Sequence, residues 1–229
     1  MTQTVDTKKR AGTIVRRLRK HFPKPECALV HENAFELLVA TILSAQCTDD
    51  RVNKVTANLF RKYRKPADYL NVDVEELGRD IYQTGFYRNK AKNIQGACRL
   101  MVEEFGGEVP KTIEELLRLP GVARKTANVV LGTAFGIASG VVVDTHVGRL
   151  ARRMALTQEE DPVKVERDLC ALVPRKDWID LSHMLILHGR ATCSARAPQC
   201  ETCFLNDVCP AAERGGDVKP VAKRTARVR

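Results

Sequence analysis

Leu116-Leu117-Arg118-Leu119-Pro120-Gly121-Val122-Ala123-Arg124-Lys125-Thr126-Ala127-Asn128 reads as helix, tight turn, helix. Pro120 fixes φ, and Gly121 takes backbone conformations that other residues avoid. The second helix is expected to start at once, from Val122, and to run to Phe135. Its first turn leaves N–H groups without intrahelical partners. Those donors and the positive end of the helix dipole make a site for an anion that needs no net charge. Lys125 falls in that same turn, where a cation is poorly placed against the dipole and beside Arg124. An amine so placed is a candidate nucleophile, and the plainer alternative is an exposed helix lysine.

Outward from this hairpin the pattern is helical almost throughout. Toward the N-terminus, Ile14, Val15, Leu18 and Phe22 form one stripe ended by Pro23 and Pro25. Phe35, Leu38, Val39, Ile42 and Leu43 repeat at three and four, as do Val52, Val55, Leu59 and Phe60. A short helix is expected over Val74 to Ile81, and a longer one through Ala91, Ile94, Ala97, Cys98, Met101 and Val102, closed by Gly106 and Gly107. After Gly140, Val141-Val142-Val143 is a candidate short strand, though one such run makes no sheet. Asp144 follows it directly, so its carboxylate is expected to be partly buried; capping the next helix is a second role it can combine with any other. Two or three further helices reach His188.

The C-terminal region changes character. Cys193, Cys200, Cys203 and Cys209 sit in the spacing C-x6-C-x2-C-x5-C. Four thiols so close, where disulfides are not expected, point to a metal site. Structural zinc sites usually pair two short hooks. Only one exists here, which favours a [4Fe–4S] cluster, with zinc as the alternative. With every ligand position filled by cysteine, the group is structural rather than catalytic. Arg196, between the first two cysteines, is placed to meet a phosphate from a loop pinned at both ends; a solvated loop arginine is the alternative. Cys27, Cys47, Cys98 and Cys170 read as small core residues.

Composition narrows the class. The 229 residues carry 38 Lys and Arg against 28 Asp and Glu, a net charge of +10, with 44% hydrophobic residues and a mean hydropathy of −0.27. A buried core is feasible. No apolar run is long enough to span a membrane, and the basic N-terminus lacks the apolar stretch of a secretory signal. Residues 1–20 contribute +6, residues 211–229 contribute +4, and the body between is neutral. Basic ends favour a polyanion.

Four segments together carry a resemblance: Leu43-Ser44-Ala45-Gln46-Cys47-Thr48-Asp49, the hairpin through Asn128, Val143-Asp144-Thr145-His146, and the cysteine spacing. The chain closely resembles the endonuclease III family of base-excision DNA glycosylases, from about Ile14 to Pro210. The resemblance implies an all-α, helix-hairpin-helix glycosylase fold. It implies a six-helix barrel domain over 27–139, with the hairpin motif near 112–134. It implies a [4Fe–4S] domain from 1–26 and 140–210, held by Cys193, Cys200, Cys203 and Cys209, and a basic flexible tail over 211–229. Lys125 becomes the nucleophile and Asp144 the essential carboxylate. Gln46 fills the gap left by an extruded nucleotide, and Phe86, in the loop Thr84-Gly85-Phe86-Tyr87, is a second wedge. Gly121, Ala123, Thr126, His146 and Arg196 are the further DNA contacts.

The implied activity is removal of oxidised pyrimidines from duplex DNA, followed by β-elimination on the 3′ side of the abasic site. The implied partner is double-stranded DNA carrying a damaged base or abasic site. The protein is expected to be a monomer without membrane association, in a bacterial cytoplasm and at the nucleoid. Two positions depart from the family pattern. Ala123 stands where a second hairpin glycine is common, and Thr84 stands where an aliphatic residue often precedes Gly85. A pyrimidine-dimer glycosylase/lyase of the same fold is an alternative. A non-catalytic DNA-binding iron–sulfur redox sensor is another, but it has no need of Lys125 and Asp144 together.

Overall fold

Helix boundaries follow local chemistry closely. In this computed structural model, which describes residues 2–216, helix α1 spans Thr2–His21 and stops before Pro23. α2 (Ala34–Leu43) begins where the Asn33 side chain accepts from the Glu36 amide at 3.0 Å. α3 (Asp49–Lys62) is capped by Thr48 in the same way. Pro66 opens a short helix, α4 (Pro66–Leu70), because proline at the first helical position gives up only an amide that had no partner. α5 covers Val74–Asp80 and α6 Tyr87–Glu104. α7 (Ile113–Leu116), α8 (Arg124–Phe135), α9 (Thr145–Arg153), α10 (Pro162–Leu172) and α11 (Trp178–Ala191) complete the set.

Among the described residues there is no strand. The expected strand at Val141 to Val143 is therefore absent. The valines are buried or half-buried, but the run has no partner, and the Val142 amide donates to the Ser182 hydroxyl at 2.9 Å. Helix α8 also starts two residues later than expected, because Val122 is still in the turn and donates to the Leu119 carbonyl at 3.1 Å.

The chain divides into two compact units: Glu26–Ser139, and the residues up to Pro25 together with those from Gly140 onward. The first contains α2 to α8 and a core built on Leu37, Leu38, Leu43, Tyr69, Ile94 and Met101. The second contains α1 and α9 to α11. Its core joins Ile14 and Leu18 of α1 to Leu150, Leu169, Leu185 and Leu205. Complete burial of a leucine or isoleucine side chain contributes roughly 1.5–3 kcal/mol, so α1 belongs to this unit by packing despite its distance in sequence. Arg17 pairs with Asp207. Arg19 reaches Asp177 and Asp180, each at 2.9 Å.

The expected tail is shorter than the sequence suggested. Residues 211–216 are part of the fold: Ala211 is buried, and the chain turns helically over Ala212–Arg214. The remaining positions of that tail, 217–229, lie outside the described residues.

Candidate functional site

The hairpin in the first unit shows why its turn is spelled Pro-Gly. Gly121 has φ of +78°, and a Cβ there would lie 2.9 Å from the Cβ of Asn93 on α6. Both the dihedral and the space require glycine. Pro120 in turn lies against Gly96 of the same helix. Ala123 is the residue before α8, with φ −90° and ψ 170°, and no side chain caps the helix. That extended backbone suits any residue, so alanine introduces no strain here. Arg124 and Lys125 occupy the first two helical positions, and Lys125 is exposed. Thr126, half-exposed, follows. We expect Gly121→Ala to cost about 1–3 kcal/mol, read as a lowered denaturation midpoint, and to weaken DNA binding. Unchanged stability would mean that the turn relaxes without penalty.

Two loops of this unit hold the other expected contacts in a rare backbone state. Only three described non-glycine residues have positive φ: Gln46 (+54°), Phe86 (+48°) and Ala155. Such residues are strained by the order of 1 kcal/mol or more, and two of the three are the residues expected to enter DNA. Gln46 is exposed in the turn between α2 and α3. Phe86 immediately precedes α6 and is 65% exposed. Tyr82, four residues earlier and exposed to 63%, packs on Tyr87 at 4.9 Å between ring centroids. The sequence reading passes over Tyr82, since nothing in the primary structure marks this tyrosine as exposed. Thr84 is buried, with its hydroxyl donating to the Ile81 carbonyl at 2.8 Å. That departure from the family pattern therefore acts inside the loop and not at its tip.

In the second unit Asp144 caps α9. It is half-buried, and its Oδ1 accepts from the Val147 amide at 2.8 Å. His146 turns inward: Arg149 Nη2 lies 3.1 Å from its Nδ1, and a Cβ on Gly189 would come within 2.8 Å of the same atom. Burial lowers its pKa first and Arg149 and Arg190 lower it further, against an opposing pull from Asp144. Arg149 and Arg153, one turn apart on α9, grip the segment after Cys193. Arg149 donates to the Cys193 carbonyl at 2.9 Å. Arg153 donates to the Ser194 and Ala195 carbonyls at 2.6 and 2.8 Å, and lies 3.2 Å from the Cys193 sulfur. One helix thus carries Asp144 at its start and the anchor of the cysteine loop along its length. The spacing of the two arginines was visible in the sequence, but not their common target. Arg196 is exposed on that loop.

The four cysteines line one pocket with Arg153 and His188. Among the described residues no three metal-ligating side chains close round a point. The four sulfurs instead share the lining of that one pocket. Burial raises the thiol pKa values of Cys200, Cys203 and Cys209, and the other cysteine sulfurs add to the effect. A bound cationic core would favour the thiolate form of these three groups. The Leu205 amide lies 3.4 Å from the Cys203 sulfur, and His188 Nε2 lies 3.6 Å from it. Burial lowers the His188 pKa to about 4. These residues fit the group.

The chain matches known proteins along most of its length. Residues 39–175 match the model described as the HhH-GPD superfamily base excision DNA repair protein. Residues 193–209 match that of the iron–sulfur binding domain of endonuclease III. Endonuclease III of Synechocystis is 56% identical over 90% of this chain and 94% of its own. Endonuclease III of Escherichia coli K12 is 44% identical over 88% and 95%. A solved non-covalent endonuclease III–DNA complex superposes with a TM-score of 0.86 at 46% identity, covering 90% of this chain and 97% of that one. A trapped endonuclease III–DNA covalent intermediate does so with 0.86 at 45%.

Proposed function

The chain belongs to the HhH-GPD superfamily of base excision DNA repair proteins and, within it, to the endonuclease III family, and from that membership we propose how its own residues divide the work. It is a DNA glycosylase with abasic-site lyase activity, and it carries a [4Fe–4S] cluster. We assign the cluster to Cys193, Cys200, Cys203 and Cys209. When bound there it would pin the loop that carries Arg196, and the chemistry belongs to the side chains below.

The substrate is duplex DNA with an oxidised pyrimidine or an abasic site. Extruding the damaged nucleotide leaves a gap for Gln46 and Phe86. As the glycosidic bond stretches, positive charge grows on the sugar, and the Asp144 carboxylate stabilises it. The Lys125 amine bonds to C1′ while the base departs with the bonding pair. Loss of a proton from the amine and opening of the sugar give a Schiff base. That iminium acidifies the C2′ proton; its removal expels the 3′ phosphate, which breaks the strand. Amides of the first turn of α8, with Thr126, hold a backbone phosphate. Arg196 supplies a second phosphate contact. His146 enters as a support for α9 and the Gly189 segment, given where its ring is turned. The protein acts as a monomer in a bacterial cytoplasm, at the nucleoid.

The observation that carries this reading is the hairpin, where the left-handed Gly121 delivers Lys125 to an exposed position in the first turn of α8. A panel of duplexes, each with one defined lesion, tests it. Cleavage is expected at oxidised pyrimidines, with β-elimination ends and no nicking of undamaged DNA. Cleavage confined to pyrimidine dimers would replace the substrate with that of the alternative glycosylase.

A further inference from the structure

Lys90, on the first turns of α6, is only 4% exposed. Its ammonium donates to the Leu43 carbonyl at 2.8 Å and to the Thr84 carbonyl at 2.7 Å. Its own amide donates to the Phe86 carbonyl at 3.1 Å. Leu43 ends α2, three residues before Gln46, and Thr84 stands two residues before Phe86. One side chain therefore joins the two loops whose tips hold the strained residues Gln46 and Phe86. The carbonyl of Leu43 lies in the last turn of its helix, where no intrahelical donor exists, so the lysine supplies what the helix lacks. An exposed bond between Arg51 Nη1, on the first turn of α3 after the Gln46 loop, and Gln83 Oε1, beside Thr84, adds a second link at the surface, at 3.0 Å.

We propose that Lys90 is a positioning residue that couples the Gln46 loop to the Phe86 loop, so that the two wedges enter the duplex as one rigid unit. The inference rests on the reading that Gln46 and Phe86 enter DNA. A lysine suits the task because three N–H donors on one atom reach carbonyls from different segments. Burial lowers its pKa, with the neighbouring Cys47 sulfur pulling the other way. Neither protonation state loses the two donors that the carbonyls need. The residue takes no part in the bond changes at Lys125, and its effect should be confined to substrates that must be opened.

The test uses full-length protein in single-turnover cleavage of one abasic site, presented in a duplex and in a single strand. Lys90→Met keeps the shape of the side chain and removes the donors. It is expected to slow cleavage in the duplex roughly tenfold to a hundredfold, as misplaced groups do, and to leave single-strand cleavage within about twofold. A 2-aminopurine beside the lesion should unstack more slowly by a matching factor. Lys90→Arg should recover part of the duplex rate. Equal losses on both substrates, or no loss on either, overturn the proposal. If Lys90→Met does not fold, Lys90→Gln is read in its place against the same criterion. Gln46→Gly and Phe86→Ala run alongside. If neither lowers duplex cleavage selectively, the wedge reading fails and this inference with it. If both do and the Lys90 variants do not, this inference alone fails.

Discussion

Lys125→Ala is expected to abolish the covalent protein–DNA adduct that borohydride traps from a Schiff base. Strand cleavage should fall by about a thousandfold or more, as it does when a nucleophile is deleted. The substitution is structurally mild. Lys125 is exposed on the second residue of α8, and alanine is the best helix former, so the fold and the hairpin at Gly121 should survive. Affinity for DNA bearing a non-cleavable abasic analogue should fall only modestly, by the contribution of one exposed charge. An adduct of undiminished yield would assign the nucleophile to another amine. Loss of both adduct and binding would instead make Lys125 a phosphate contact.

Asp144→Asn separates the two roles of that carboxylate. Asparagine caps helices as well as aspartate does, and its side-chain oxygen can accept the bond that Val147 now donates at 2.8 Å. Helix α9 and its arginine grip on the cysteine loop should therefore remain, and only the negative charge is lost. Base release is expected to fall by roughly a hundredfold to a thousandfold, the scale of one preorganised electrostatic contact. Binding to the abasic analogue should persist. Asp144→Ala removes the cap as well, and its additional loss of stability, about 1 kcal/mol, gives the structural share separately. Normal base release by the asparagine variant would reduce Asp144 to a cap.

Much of this was legible from spacing alone. The apolar repeats at three and four marked α2, α3 and α6 because each turns one face into a core. Pro120-Gly121 marked the hairpin because few other pairs fit its backbone. The cysteine spacing marked the pocket. What stayed hidden was tertiary. Val141 to Val143 has strand composition, yet a strand needs a partner, and Ser182 takes the place of one. Lys90 looks like a solvated helix lysine until the ends of α2 and of the Thr84 loop are brought to it. The left-handed backbone at Gln46 and Phe86 is invisible for the same reason: neither residue type prefers it, and the surrounding fold imposes it. Pro66 carries the ring that breaks most helices, yet here it opens one, α4.

The interleaving of the two units has a consequence for biosynthesis. Glu26–Ser139 is one uninterrupted stretch, so every side chain of its core has left the ribosome well before translation ends. Helix α1 is made earlier still, but Ile14 and Leu18 are covered by residues as late as Leu205. The nascent chain therefore holds the apolar stripe of α1 uncovered while the middle matures, and a segment made much later closes over it.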